Sequence, residues 1–386
     1  MMSDMKLKSK LPGDGDSIFA VMSKMAADTG AINLSQGFPN FKVDQDLIDL
    51  VTKAMNEGFN QYAPMPGIFP LRKKLSEHLQ QTYGYYYNPE SEITITSGAT
   101  QAIYAAINAV VHEGDEVIII EPAFDIYRPA VVLNGGIPRF MKMNLKESGF
   151  SIDWQQFKKL ISPKTSMIII NTPHNPTSSV MSEEDMLNLE SLCRNTSITV
   201  LSDEVYEHII FDNLTHQSVS RFPELAKRSF KVGSFGKTFH VTGWKTGYCA
   251  APENMMKEFR KAHQNIVFAG FHPVQKALAE YIDNKDKIRS LPDFYQQKRD
   301  RFLYLMKNSR FKAIPSLGTY FQLFSYEGIS DKSEMDFAIE LTKEMGVATI
   351  PLSYFYNDNQ DSKLLRVCFA KTDDILQKSA EILCKI

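Results

Sequence analysis

Five short segments of this 386-residue chain concentrate residue types that can do chemistry. They are Ser97-Gly98-Ala99-Thr100, residues 171–177 with Asn175 among them, Ser202-Asp203-Glu204-Val205-Tyr206, Ser234-Phe235-Gly236-Lys237, and Leu364-Leu365-Arg366-Val367-Cys368-Phe369. A lysine shielded from water becomes a nucleophilic amine, because burial lowers its pKa. Four residues such as Ser97 to Thr100 at a helix start offer free backbone N–H groups and a favourable dipole to an anion. An arginine between apolar residues is costly unless paired, and a carboxylate is a planar partner for its fork. Taken singly, each residue has a plainer reading. A lysine after a strand usually sits on the surface, and Asp203 can cap a helix near residues 205–208. Asn-Pro usually marks a turn, Arg366 can serve a structural salt bridge, and many helices start like residues 97–100.

The elements that must position these groups are legible as short apolar runs. Residues 93–96, 117–120, 167–170, 198–201 and 230–232 are largely β-branched and do not alternate, the pattern of strands covered on both faces. Helical patterns lie between them. Leu71, Leu75 and Leu79 share one helix face. Residues 99–111 are apolar almost all round, and residues 183–193 follow Ser182, a good N-cap. Alternation of this kind predicts an α/β fold with a mostly parallel sheet. Ligands of such sheets bind beyond the carboxyl ends of the strands. Four of the five segments follow a strand in this way, as does Phe124 in Glu121-Pro122-Ala123-Phe124.

Beyond about residue 280 the texture changes. A helix through residues 292–308, strand-like pieces at 320–324 and 364–369, and a helix near 335–345 read as a smaller α+β domain. The expected division is an N-terminal segment 1–40 joining the small domain, a large domain 41–285, and a small domain 286–386.

Bulk properties exclude several classes. A net charge of −2 favours neither nucleic acid nor an anionic membrane. Cys193, Cys249, Cys368 and Cys384 form no CxxC pair and are too few for a disulfide framework; no metal site is expected. The N-terminus lacks the ~7–15 apolar residues of a secretory signal, and no run approaches the ~20 that span a bilayer. The expected location is the cytoplasm.

The residues at 171–177, 202–206 and 234–237, with Gly243-Trp244-Lys245-Thr246-Gly247-Tyr248, resemble the signature set of class I aminotransferases of fold type I. The spacings match as well: 28 residues from Asn175 to Asp203, 34 from Asp203 to Lys237, and 8 from Lys237 to Lys245. Within the family, Asn33-Leu34-Ser35-Gln36-Gly37-Phe38-Pro39, Asn60-Gln61-Tyr62-Ala63-Pro64 and Leu291-Pro292-Asp293-Phe294-Tyr295 look closest to bacterial methionine aminotransferases and the kynurenine aminotransferase/cysteine-conjugate β-lyase group. The likeness runs from about residue 16 onward.

The resemblance implies pyridoxal 5′-phosphate as cofactor, a seven-stranded, mostly parallel sheet, and amino-acid and keto-acid substrates. Lys237 takes the cofactor aldehyde and, once displaced, carries a proton. Asp203 pairs with the pyridine nitrogen, Tyr206 and Asn175 reach the phenolic oxygen, and Phe124 stacks on the ring. Ser97, Gly98, Ala99, Thr100, Ser234 and Lys245 serve the phosphate. Lys245 stands where many relatives have arginine, so it keeps the charge but not the bidentate fork. Tyr62 resembles a tyrosine that reaches the phosphate from a neighbouring subunit, which implies a homodimer with shared active sites. Arg366, Gly37 and Asn175 hold the substrate α-carboxylate. Ser178 departs from the family, where glycine often follows the threonine; a local loop change with little chemical effect is expected.

For the side-chain pocket the resemblance suggests Phe19, Phe38 and, from the partner subunit, Phe268. These walls predict methionine and aromatic donors over aspartate or glutamate. Kynurenine aminotransferase activity and carbon–sulfur β-elimination on the same fold stay open. A DNA-binding regulator is disfavoured by the short stretch ahead of the likeness, and a dinucleotide dehydrogenase by the lack of GxGxxG after the first strand.

Overall fold

In a computed structural model, residues 8–13 and 15–386 are described. Residues 1–7 and Asp14 of the expected N-terminal segment lie outside them.

Seven strands form the large sheet: β1 (Ile93–Thr96), β2 (Glu116–Glu121), β3 (Ile137–Lys142), β4 (Thr165–Asn171), β5 (Thr199–Asp203), β6 (Ser229–Ser234) and β7 (Gly247–Ala250). Their order is β1-β7-β6-β5-β4-β2-β3. Only β7 runs antiparallel to its neighbours, β1 and β6. The non-alternating runs are explained by cover on both faces. Val117 and Ile119 of β2 enter one buried cluster with the helix Gly98–Val110, while Ile118 and Ile120 enter another with the helix Glu183–Cys193. Met167 and Ile169 of β4 divide from Ile168 and Ile170 in the same way.

Two strands differ from the sequence expectation. β3 is the edge strand, with Pro138, Arg139 and alternate exposure, so it lacks a continuous apolar run. β7 is short, and its antiparallel insertion between distant strands leaves no mark in local pattern. The helices follow the sequence more closely. Leu71, Leu75 and Leu79 lie buried along Phe69–Tyr83. Ser182 caps Glu183–Cys193 reciprocally, its hydroxyl accepting from Asp185 N at 3.1 Å and its N–H donating to the Asp185 carboxylate at 2.8 Å.

The second sheet has order β8-β9-β11-β10, from β8 (Lys312–Ala313), β9 (Phe321–Ser325), β10 (Ile350–Pro351) and β11 (Leu364–Cys368), all antiparallel. Its core contains Ile18, Met22 and Leu34 alongside Leu323, Phe337, Val367 and Leu376. Residues Ile32–Asn33 pair in parallel with Val347–Ala348. The N-terminal helix Ile18–Thr29 is thereby packed on the far end of the chain. Among the described residues, no helix is long and apolar enough to cross a membrane.

One polar cluster lies inside the large sheet's cover. Lys231 of β6, fully buried, donates to Glu207 Oε2 at 2.9 Å and stands 3.3 Å from Glu204 Oε2. Tyr248 and Tyr83 each donate to Glu207 at 2.6 Å, and His216 Nε2 lies 2.9 Å from Glu204.

Candidate active site

A cavity of about 310 Å³ opens at the carboxyl ends of β1, β2, β4, β5 and β6, where the topology predicts a ligand. Its anionic end is built by the start of the helix Gly98–Val110. Gly98 sits at φ +78, a conformation glycine adopts without strain, and the Lys245 ammonium lies 3.5 Å from where a Cβ would stand. Gly98, Ala99, Thr100, Ser234 and Lys245 all line the cavity. β7 holds them together, since Gly247 is paired with Thr96 on one side and Ser234 on the other. Ser97 stands just outside the lining, with its N–H bound to Gln101 Oε1.

Asp203 ends β5 and is buried. Its Oδ2 accepts from the Tyr127 hydroxyl at 2.6 Å and its Oδ1 from Val205 N at 3.3 Å. The helix cap that sequence alone allowed is absent, since no helix follows; the Val205 contact belongs to a turn. Burial pushes the Asp203 carboxyl up to about 6, against the Tyr127 hydrogen bond. Asn171 ties the adjacent strand ends. Its Nδ2 donates to Asp203 O at 2.8 Å, and its Oδ1 accepts from Asn175 N at 2.8 Å.

Arg366 of β11 enters from the second sheet, almost wholly buried. Nη1 donates to Asn175 Oδ1 at 2.6 Å and Nη2 to Ser35 O at 3.2 Å, both neutral groups. Nε has no partner. The guanidinium lies 3.9 Å from the Phe321 ring centroid, with Phe355 and Phe19 at 5.1 and 5.2 Å. Burial lowers its pKa to about 10. A buried cation on the wall of a cavity, hydrogen-bonded only to neutral groups, is fitted to an anionic ligand.

Lys237 follows β6 on a short helical turn capped by Ser234. Its Nζ donates to the Tyr320 hydroxyl at 2.7 Å and reaches Gly37 O at 3.3 Å. Burial lowers its pKa to about 8. The Tyr206 ring lies 5.4 Å from that nitrogen, and its buried hydroxyl is pushed above the usual phenol range. Phe124, Phe19, Phe38 and Gly37 complete the wall.

The structure thus gathers on one cavity all the sequence-derived residues except Ser97, Tyr62 and Phe268. Tyr62 is 85% exposed and Phe268 43%, their rings edge to face at 5.6 Å on the outer surface. Ser178 adopts φ +59, which accounts for a preference for glycine there. Its hydroxyl is satisfied by Thr319 Oγ1 at 3.0 Å and Phe321 O at 2.8 Å, so the turn persists without disturbing Asn175. Tyr127 and Tyr320 are the site residues that sequence reasoning passes over, and Asn171, within a segment it singles out, is given no role of its own. Tyr127 lies three positions after Phe124, an aromatic pair just past a strand end, and that is its only local signal.

The donor set fits pyridoxal phosphate: a lysine of low pKa, a buried carboxylate for a ring nitrogen, a phenol, and a helix-start anion cradle. The chain matches the family model for aminotransferase class I and II over residues 29–383. It is 45% identical to a methionine aminotransferase of Escherichia coli (strain K12), covering 97% of each chain. Identity to a kynurenine–oxoglutarate transaminase of Dictyostelium discoideum is 34%, over 96% of this chain and 94% of that one. The crystal structure of YbdL from Escherichia coli, reported to identify a methionine aminotransferase function, superposes with a TM-score of 0.95 at 44% identity, covering 99% of this chain and all of that one. The chain belongs to the class I and II aminotransferases, enzymes of fold type I that depend on pyridoxal phosphate.

Proposed function

We propose that this aminotransferase moves the amino group of methionine and aromatic amino acids to a 2-oxo acid, using pyridoxal 5′-phosphate held by Lys237. One observation carries the substrate reading. Arg366 is the only arginine lining the cavity among the described residues, and the apolar part of that lining includes Phe19, Phe38, Phe124 and Ile103. One carboxylate is matched, and an acidic side chain has no second guanidinium to meet. The methionine aminotransferase relatives support the same reading.

When bound, pyridoxal phosphate supplies an aldehyde for amines and a ring that accepts electrons from the substrate Cα. The chain's own residues do the rest. Gly98, Ala99, Thr100, Ser234 and Lys245 hold the phosphate, with Ser97 bracing the turn from outside. Asp203, fixed by Tyr127, keeps a proton on the ring nitrogen. Tyr206 and Asn175 serve the phenolic oxygen, and Phe124 covers the ring. Arg366 binds the substrate carboxylate near Gly37 and Asn175. Lys237 Nζ, when neutral, takes the Cα proton and returns it. Its pKa near 8 leaves a useful neutral fraction around neutrality.

We also assign a homodimer. Tyr62 and Phe268 of the partner subunit complete the phosphate and side-chain ends, which accounts for large aromatics left on the surface.

The reading is tested with purified protein and pyridoxal phosphate. An absorption band at the boundary of ultraviolet and visible light is expected, lost in Lys237→Ala; no band in the wild type refutes the cofactor assignment. Across donors and keto acids, methionine and aromatics should exceed aspartate, and the reverse order overturns the specificity. The kynurenine transaminase relative favours a second reading, kynurenine transamination with β-elimination. Pyruvate released from cystathionine without a keto acid would mark the elimination.

A further inference from the structure

We propose that Tyr320 is a positioning residue for Lys237: its hydroxyl oxygen is the acceptor that holds the lysine amine whenever that amine is not bonded to the cofactor. The inference rests on Lys237 being the cofactor-bearing lysine.

A phenol has a single hydrogen. Gly37 O at 2.6 Å and the Tyr206 hydroxyl both accept from Tyr320, which leaves a lone pair for the Lys237 ammonium, 2.7 Å away. Tyr320 is therefore an acceptor for the amine and not a proton donor to it. Gly37 O, 3.3 Å from Nζ, is a second acceptor. Both contacts favour the protonated amine, against the burial that drives it toward neutrality.

Packing fixes the phenol in that place. Tyr320 is fully buried, edge-on to Tyr206 at 5.1 Å and to Phe321 at 4.9 Å, and tilted against Tyr295 at 5.8 Å. Phe321 in turn lies under the Arg366 guanidinium. It also packs so close to Gly37 that a Cβ there would stand 2.6 Å from its ring. The amine, the Gly37 backbone and the carboxylate-binding arginine thus belong to one packed unit. A substrate carboxylate held by Arg366 would lie beside the backbone whose carbonyl orients Tyr320. The released amine is in this way kept beside the substrate Cα and does not swing toward the phosphate end.

Tyr320→Phe removes the oxygen and keeps the ring. In the full-length apoenzyme, the pH dependence of Lys237 acylation by acetic anhydride, followed by peptide mass spectrometry, reads the amine directly. Loss of a hydrogen bond to a charged group predicts a midpoint lower by about one pH unit. In the reconstituted holoenzyme, kcat should fall about tenfold with KM for methionine changed less than about threefold. A purely structural role moves neither the midpoint nor this split. A midpoint within about 0.3 pH unit of the wild type overturns the inference. Should Tyr320→Phe fail to fold, 3-fluorotyrosine placed at position 320 by codon reassignment keeps the shape and weakens the acceptor. A smaller drop then supports the assignment and no drop overturns it. Failure of the cofactor assignment is seen separately, as a wild-type protein without the absorption band.

Discussion

Lys231 and Lys237 lie six positions apart, the first fully buried and the second partly, and the protein shifts them to opposite sides of the usual lysine value. Burial works against the charge of each. At Lys231, Glu204 and Glu207 overcome it, so the ammonium is held well above the usual lysine range. The two carboxylates stay below theirs, also against burial. At Lys237 the hydrogen-bond partners are a phenol and a carbonyl, and burial prevails, down to about 8. The same strand thus leads from a closed ion cluster to a poised amine. The more deeply buried lysine is the one that stays charged, so the charge of the neighbours outweighs depth.

That contrast can be broken from either side. The largest effect is expected for Lys237→Ala, which should lower kcat/KM for methionine about 10³-fold or more. Its unfolding free energy should move less than about 1 kcal/mol, because no buried carboxylate loses its partner. Chemical denaturation checks this, and a large destabilisation would erase the distinction.

Lys231→Met should do the reverse. Two buried carboxylates lose their counter-ion, at a cost of about 3–5 kcal/mol read from the denaturation midpoint, while activity per folded molecule changes far less. Adding Glu207→Gln should recover part of the loss.

The pH dependence sharpens the comparison. Glu204 and Glu207 have lowered folded values, so their contribution is complete above the ordinary carboxylate value of about 4.3 and fades as pH falls through the lowered ones. Lys231 has a raised folded value, so its contribution is complete below about 10.4 and fades as pH rises through it. The stability gap between wild type and Lys231→Met should therefore be widest from about neutrality to pH 10 and shrink in acid, where the unpaired buried carboxylates of the variant take up protons first. Equal gaps at about pH 3 and pH 7 would contradict the assignment.

The smallest effect is expected on the open side of the site. Phe38→Ala, at a partly exposed wall, should lower kcat/KM for methionine by roughly three- to tenfold and blur the preference among donors. An unchanged donor profile would remove Phe38 from the pocket.

The same contrast shows what a sequence discloses. Lys237 is readable because Ser234, Asp203 and Lys245 stand at family spacings around it. Lys231 is not, since residues 230–232 read simply as a strand. A charge inside a run buried on both faces is nonetheless a signal that carboxylates must meet it. Most large-sheet strands and the main helices are legible because burial on two faces, or on one, imposes a local pattern. β3 escapes because it is an edge, and β7 because antiparallel insertion is decided by partners far away. Tyr127 and Tyr320 escape for the latter reason, lying 76 and 83 positions from Asp203 and Lys237. The crevice can be foreseen from strand ends, but the side chains that tune it arrive through tertiary packing.

The pairing of Ile32–Asn33 with Val347–Ala348 has a consequence for biosynthesis. The helix Ile18–Thr29 leaves the ribosome early, yet its packing surface is among the last parts made. Some 315 positions separate the paired residues, roughly 15–60 s of translation before Ile18, Met22 and Leu34 can complete their buried cluster. The large sheet with its anion cradle and Lys237 can close in that interval, whereas the wall made by Phe19 and Gly37 cannot. A nascent chain is therefore able to gain its cofactor-side geometry before it can grip an amino acid.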